Sequence, residues 1–116
     1  MRKQEYVRMF DPQNISMVTQ VAERFRALGD ENRLRILARL DRAPANVTAL
    51  STELGIKQAS VSKHLALLRQ AGLVNFDRQG AQAVYRITDR TVKNLCQLVC
   101  QGVLDHVRQQ HAALEK

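Results

Sequence analysis

The chain has 116 residues, 45% of them hydrophobic and 25% charged. This is globular composition, too short for a large multi-domain enzyme and too apolar for disorder throughout. Eighteen lysines and arginines against eleven acidic residues give a net charge of +7, so a polyanion is a candidate partner. Two prolines, five glycines and 4% aromatics suit short helices better than a β-sandwich.

Residues 1–13 carry little pattern and read as an N-terminal arm or short helix. Asn14 to Leu28 reads as the first clear helix, with Val18, Val21, Phe25 and Leu28 at spacings of three and four and Gly29 at its end. Asp30 opens a second helix with Leu34, Ile36, Leu37 and Leu40 as its apolar face, stopped at Ala43-Pro44-Ala45. Asn46 caps a third, short helix carrying Leu50 and Leu54, which Gly55 ends. Gln58 begins a fourth, with Val61, Leu65 and Leu68 buried and Gly72 as its stop. Helix, short glycine-containing turn, helix is the helix-turn-helix layout. Leu73–Arg78 and Gln82–Ile87 read as two strands around a hairpin tip at Gln79-Gly80-Ala81. Thr88-Asp89 caps a long last helix to about residue 114.

The fourth helix carries the chemistry. Its polar side presents Gln58, Ser60, Ser62, Lys63 and His64 near the N-terminal end, where a recognition helix meets base edges and exposed amides favour phosphate. Serine pairs with several base edges, and glutamine pairs bidentately with adenine. Lysine suits phosphate, which adds affinity without sequence information. His64 is read as a DNA contact, with packing as the alternative. Residues 57–90 hold six basic and two acidic side chains, more than half of the net charge in under a third of the chain. Arg78, Gln79 and Gln82 flank the hairpin tip, where a wing reaches a neighbouring groove or the backbone. Tyr85 reads as wing packing.

Leu50 to Val74, LSTELGIKQASVSKHLALLRQAGLV, resembles the helix-turn-helix of ArsR/SmtB-type winged-helix repressors. ALGDENRLRILARL (Ala27 to Leu40) is similar to that family's second helix, and VYRIT (Val84 to Thr88) to its second wing strand. The resemblance spans roughly residues 18 to 107. It implies a mainly α fold with a small β-hairpin wing over residues 14–114, and a homodimer that represses transcription until a metal ion, metalloid or other inducer releases it. It also carries Gln58, Ser60, Ser62 and His64 over as recognition-helix contacts on double-stranded operator DNA. A two-fold dimer reads two half-sites about 34 Å apart. The first and last helices carry more apolar surface than so small a core covers, so they are expected to form the dimer interface.

The sensing sites of the family do not carry over. Its arsenic site needs a Cys-Val-Cys pair where this chain has Leu50-Ser51-Thr52-Glu53-Leu54. Its zinc site on the last helix keeps only Asp89: Thr91 stands in place of the first histidine, and Gly102 and Asp105 in place of the later pair. His106 comes into range only with an inserted turn, and tetrahedral zinc wants four ligands. Cys96 and Cys100 remain, four residues apart. Cys96 falls inside an apolar stripe with Val92, Leu95, Val99, Val103 and Val107, and Cys100 lies near its edge. They read as small buried hydrophobes, as thiolate ligands of a soft metal or metalloid ion with trivalent arsenic leading, or as a redox pair. A regular helix resists an i, i+4 disulfide. No other cofactor is implied.

No phosphate loop, serine elbow or metalloprotease motif is present, which excludes the familiar enzyme classes. A winged-helix interaction module and a DNA-binding dimer without an effector remain open beside the repressor reading. No apolar run approaches the roughly 20 residues of a membrane span, and Met1–Glu5 leads into no signal-peptide core, so a cytoplasmic location is expected.

Overall fold

A computed structural model of the chain describes residues 10–115. The arm expected over 1–13 therefore lies largely outside the described residues. Its last part is a turn, in which Asp11 accepts from the amides of Gln13 and Asn14.

Five helices and one antiparallel hairpin follow among the described residues: α1 (Ile15–Leu28), α2 (Glu31–Arg42), α3 (Val47–Leu54), α4 (Gln58–Gln70), β1 (Val74–Gln79), β2 (Gln82–Ile87) and α5 (Thr91–Glu115). The fold is mainly α with a β-hairpin wing. Three helices start on side-chain caps, of which Asn46 is the one expected as a cap from the sequence. Asn14 accepts from the Met17 amide, Asp30 from Arg33, and Asn46 from Ala49. Each satisfies a donor that the first helical turn leaves without a partner. Gly55 adopts φ +67 at the end of α3, a left-handed turn that lets α4 leave at a new angle.

The core lies where α2, α3 and α4 meet under the base of the wing. Ile36, Leu50, Val61, Leu65, Leu68 and Leu73 are fully buried there, with Leu37, Leu40 and Val74 beside them. The predicted triad of α4 is thus its inner face. A bidentate ion pair from Arg39 to Glu53 ties α2 to α3 at the surface.

The structure corrects three expectations. β1 begins at Val74 rather than Leu73, because the Leu73 amide still donates to the Leu68 carbonyl in the exit turn of α4. Gln79 is not part of the tip: it pairs with Gln82 as the last rung, leaving a two-residue turn at Gly80-Ala81 with φ +63 at Gly80. Leu34, assigned to the buried face of α2, is 41% exposed.

The outer helices are less covered. Phe25 of α1 and Val99, Val103 and Val107 of α5 are each more than half exposed. The radius of gyration is 17.4 Å, against about 13 Å for a compact domain near this length. The excess comes from α5, whose 25 residues span about 37 Å. Only its first turns pack on the body, through Val92 and, less deeply, Leu95 and Cys96.

Candidate nucleic-acid interface

Burial of Val61, Leu65 and Leu68 rotates the remaining face of α4 outward. Gln58, Ser62 and Lys63 are exposed on it, and Ser60 is half-buried. No side chain caps the head of α4, so its first amides are not taken by a capping group. Free helix-head amides attract a phosphate.

His64 is placed differently from its neighbours. It is half-buried, and its Nδ1 lies 3.4 Å from Nη1 of Arg33. The same guanidinium donates to the carbonyls of Ala27 at 2.6 Å and Arg26 at 3.1 Å, so Arg33 closes the last turn of α1 while touching α4. In the sequence Arg33 stands out only as part of the ALGDENRLRILARL motif, with nothing to link it to α4. The two residues are 31 positions apart, and only the fold brings them together.

The wing residues separate into free and engaged groups. Gln79 is exposed at the end of β1. Gln82 is exposed too, but its Oε1 accepts from the Asn46 amide at 2.7 Å, which braces the wing on the head of α3. Arg78 lies 5.6 Å from the centroid of the Phe76 ring, and Arg69 at the end of α4 lies 4.6 Å from the same ring. Tyr85 packs on Phe76 at 5.3 Å, as expected, and its backbone pairs with Ala45. Phe76 therefore joins α4 to the wing and draws a guanidinium group from each toward its ring. Arg69 is a basic residue of this surface that sequence reasoning counted only as charge. Arg86 is neutralised by Asp77 at 2.8 Å.

Asp89, the one family zinc position that this chain retains, is committed elsewhere. Burial alone would raise its carboxyl, but the hydroxyl and amide of Thr91 and the guanidinium of Arg24 outweigh that and hold it below the usual carboxylate range. It caps α5 and ties that helix to α1.

Cys96 is half-buried and Cys100 exposed, and both border an apolar groove of about 520 Å³ between α5 and the α1–α2 pair. Phe25, Leu34 and Leu37 form the opposite wall. Burial, with a smaller contribution from Cys100, pushes the Cys96 thiol above its ordinary range. No group of three or more histidine, cysteine or acidic side chains suited to a metal occurs among the described residues. Within one chain the donor set is two sulfurs. That fits dithiol capture of a thiophilic ion and falls short of tetrahedral zinc.

A family model described as a helix-turn-helix domain matches residues 28–75, from the end of α1 to the start of the wing. The transcriptional repressor SmtB homolog of Synechocystis is 34% identical over 107 residues, which cover 90% of this chain and 78% of that protein. The chain belongs to the ArsR/SmtB family. The HTH-type transcriptional regulator NmtR of Mycobacterium tuberculosis is 39% identical over 84 residues, covering 72% of this chain and 70% of its own. Among solved structures, a homodimeric winged helix-turn-helix DNA-binding domain from Mycobacterium bovis, described as a possible ArsR-family regulator, superposes with a TM-score of 0.76. It is 30% identical, over 85% of this chain and 92% of that one. Family membership makes this chain a transcriptional regulator and not an enzyme. No described helix is long and apolar enough to cross a membrane.

Proposed function

We propose that the chain is a cytoplasmic repressor that binds operator DNA as a homodimer and is released when a thiophilic metal or metalloid ion occupies Cys96 and Cys100. The observation that carries the DNA half is the exposed row Gln58, Ser62 and Lys63 at an uncapped helix head, beside a wing that presents Arg78 and Gln79. Gln58, Ser60, Ser62 and His64 are assigned to base edges, and Lys63, Arg78, Gln79 and Gln82 to backbone or the adjacent groove. The exposed apolar faces of α1 and α5 support the dimer, as does the homodimeric state of the Mycobacterium bovis relative. Residues 14–114 are taken as a single unit for DNA binding and dimerisation.

The effector half rests on the groove. Both cysteines sit on its wall, where α5 meets α1 and α2, and the proposed dimer interface draws on α1 and α5 as well. An ion held there alters how the two copies pack and hence the spacing of the two reading helices. A coupling of about 1–3 kcal/mol, near 5- to 150-fold in affinity, is typical of such a link.

Reaction with a soft ion needs the thiolate. Each As–S bond expels a hydroxide of arsenous acid, which leaves as water with the thiol proton, so no net proton is released. Because the Cys96 proton is held more tightly than usual, the rate of arsenite capture should rise as pH is raised from about 7 toward 9. The test is a fluorescence-anisotropy titration on the DNA upstream of the gene, with reduced wild type and a Cys96→Ser/Cys100→Ser variant, each challenged with arsenite, zinc and a mild oxidant. The expected result is release of wild type by arsenite and none of the variant. Release by the oxidant alone would make the pair a redox switch. Identical responses of both proteins would reduce the cysteines to packing. Failure to bind any DNA tightly at low salt would overturn the repressor reading.

A further inference from the structure

Arg33 has an unusual set of partners. Its Nε and Nη2 serve the carbonyls of Ala27 and Arg26, which end α1, and its own amide is held by the Asp30 cap. Its remaining nitrogen, Nη1, lies 3.4 Å from Nδ1 of His64 on α4 and 4.0 Å from Oδ2 of Asp30. A guanidinium has five donors and no acceptor, so in this contact the imidazole nitrogen accepts. A neutral ring whose Nδ1 accepts carries its proton on Nε2.

We propose that Arg33 is a positioning residue for DNA reading: it fixes His64 in the tautomer protonated at Nε2, so that α4 offers DNA a donor at this position. The inference rests on α4 being the reading helix. The complementary group on DNA is then an acceptor, such as N7 or O6 of guanine, N7 of adenine, O4 of thymine or a phosphate oxygen. The amino groups of cytosine and adenine are not matched. Because the same guanidinium closes α1, the orientation of His64 is also tied to the helix proposed for the dimer interface.

The first test is a long-range proton–nitrogen spectrum of the His64 ring in the intact protein, assigned by its loss in His64→Gln. The wild-type ring should show the Nε2-protonated pattern, and Arg33→Met should shift it toward a mixture of tautomers. The second test reads the ratio of operator to scrambled-DNA affinity. Glutamine places an amide donor near the reach of Nε2, whereas asparagine reaches only as far as Nδ1. His64→Gln should therefore stay within about threefold of wild type, and His64→Asn should lose about tenfold. Arg33→Met should lose about tenfold in the wild-type background and little further in His64→Ala.

A wild-type ring protonated at Nδ1 would overturn the proposal. So would equal losses from Arg33→Met with and without the histidine, or asparagine outperforming glutamine. If Arg33→Met does not fold, the glutamine and asparagine variants, which leave the α1 carbonyls capped, decide the matter. The ring spectrum is recorded without DNA. A chain with the expected tautomer that binds no operator would thus locate the failure in the DNA reading itself.

Discussion

Val103→Glu should leave the subunit folded and abolish tight operator binding. Val103 is 57% exposed on the single chain, between Val99 and Val107 on one face of α5, so a carboxylate there is solvated in the monomer. In a two-fold dimer each copy meets the same face of the other, and the charge enters twice. Burying an unpaired charge is among the most costly single changes known. The dimer dissociation constant should rise by more than about 100-fold, equivalent to roughly 2.7 kcal/mol. Operator affinity should fall at least as far, because a lone subunit reaches only one half-site. Sedimentation, circular dichroism and anisotropy check the three parts. A fully dimeric Val103→Glu protein would remove α5 from the interface.

Leu65→Ala should have the opposite signature, with stability lost before association. Leu65 is fully buried at the centre of the inner face of α4, between Val61 and Leu68. Truncation there removes transfer free energy and leaves a cavity in a core that has no buried polar side chains among the described residues. The expected loss is about 2–5 kcal/mol. For a chain of this size that lowers the melting temperature by something over about 10 °C. Thermal and urea denaturation of the reduced protein measure it. If α4 is the reading helix as well as part of the core, DNA affinity should weaken in step with the population of the unfolded chain and recover on cooling.

These two effects show how the sequence divides. Leu65 is legible through the spacing Val61, Leu65, Leu68 and the glycines on either side, since the helical period and the stop signals are local properties. Asn14 and Asp30 are legible as helix starts, and Asn46 as a cap, for the same reason. The errors arise where a distant element decides the outcome. Leu34 fits the period of α2 but points into the groove facing α5, far along the chain. Gln79 has the chemistry of a tip, and only its rung with Gln82 places it in the strand.

The exposed row Gln58, Ser62 and Lys63 is readable because exposure is the complement of the buried period. The partner of His64 is not, because nothing local to KQASVSKHL specifies an arginine near the start of α2. The role of Phe76 is similar. An aromatic residue on a strand reads as packing, and only the hairpin register and the end of α4 place Arg69 and Arg78 beside its ring. The cysteines are visible as a helical pair, and the helical period already places Cys96 inside the apolar stripe and Cys100 near its edge. Cys96 is half-buried and Cys100 open because α5 leaves the body between them.

If the N-terminal face of α4 reads an operator, anisotropy of wild type and Gln58→Ala/Ser62→Ala on the operator and on scrambled DNA, across a range of salt, tests it most directly. Both substitutions lie on the exposed face and remove no core contact. On this account the variant loses about 2–4 kcal/mol of operator affinity but keeps its binding to scrambled DNA, with an unchanged salt slope, because lost base contacts release no additional ions. Equal operator affinities for the two proteins, or a parallel loss on both DNAs, would contradict it and place sequence reading elsewhere on the molecule.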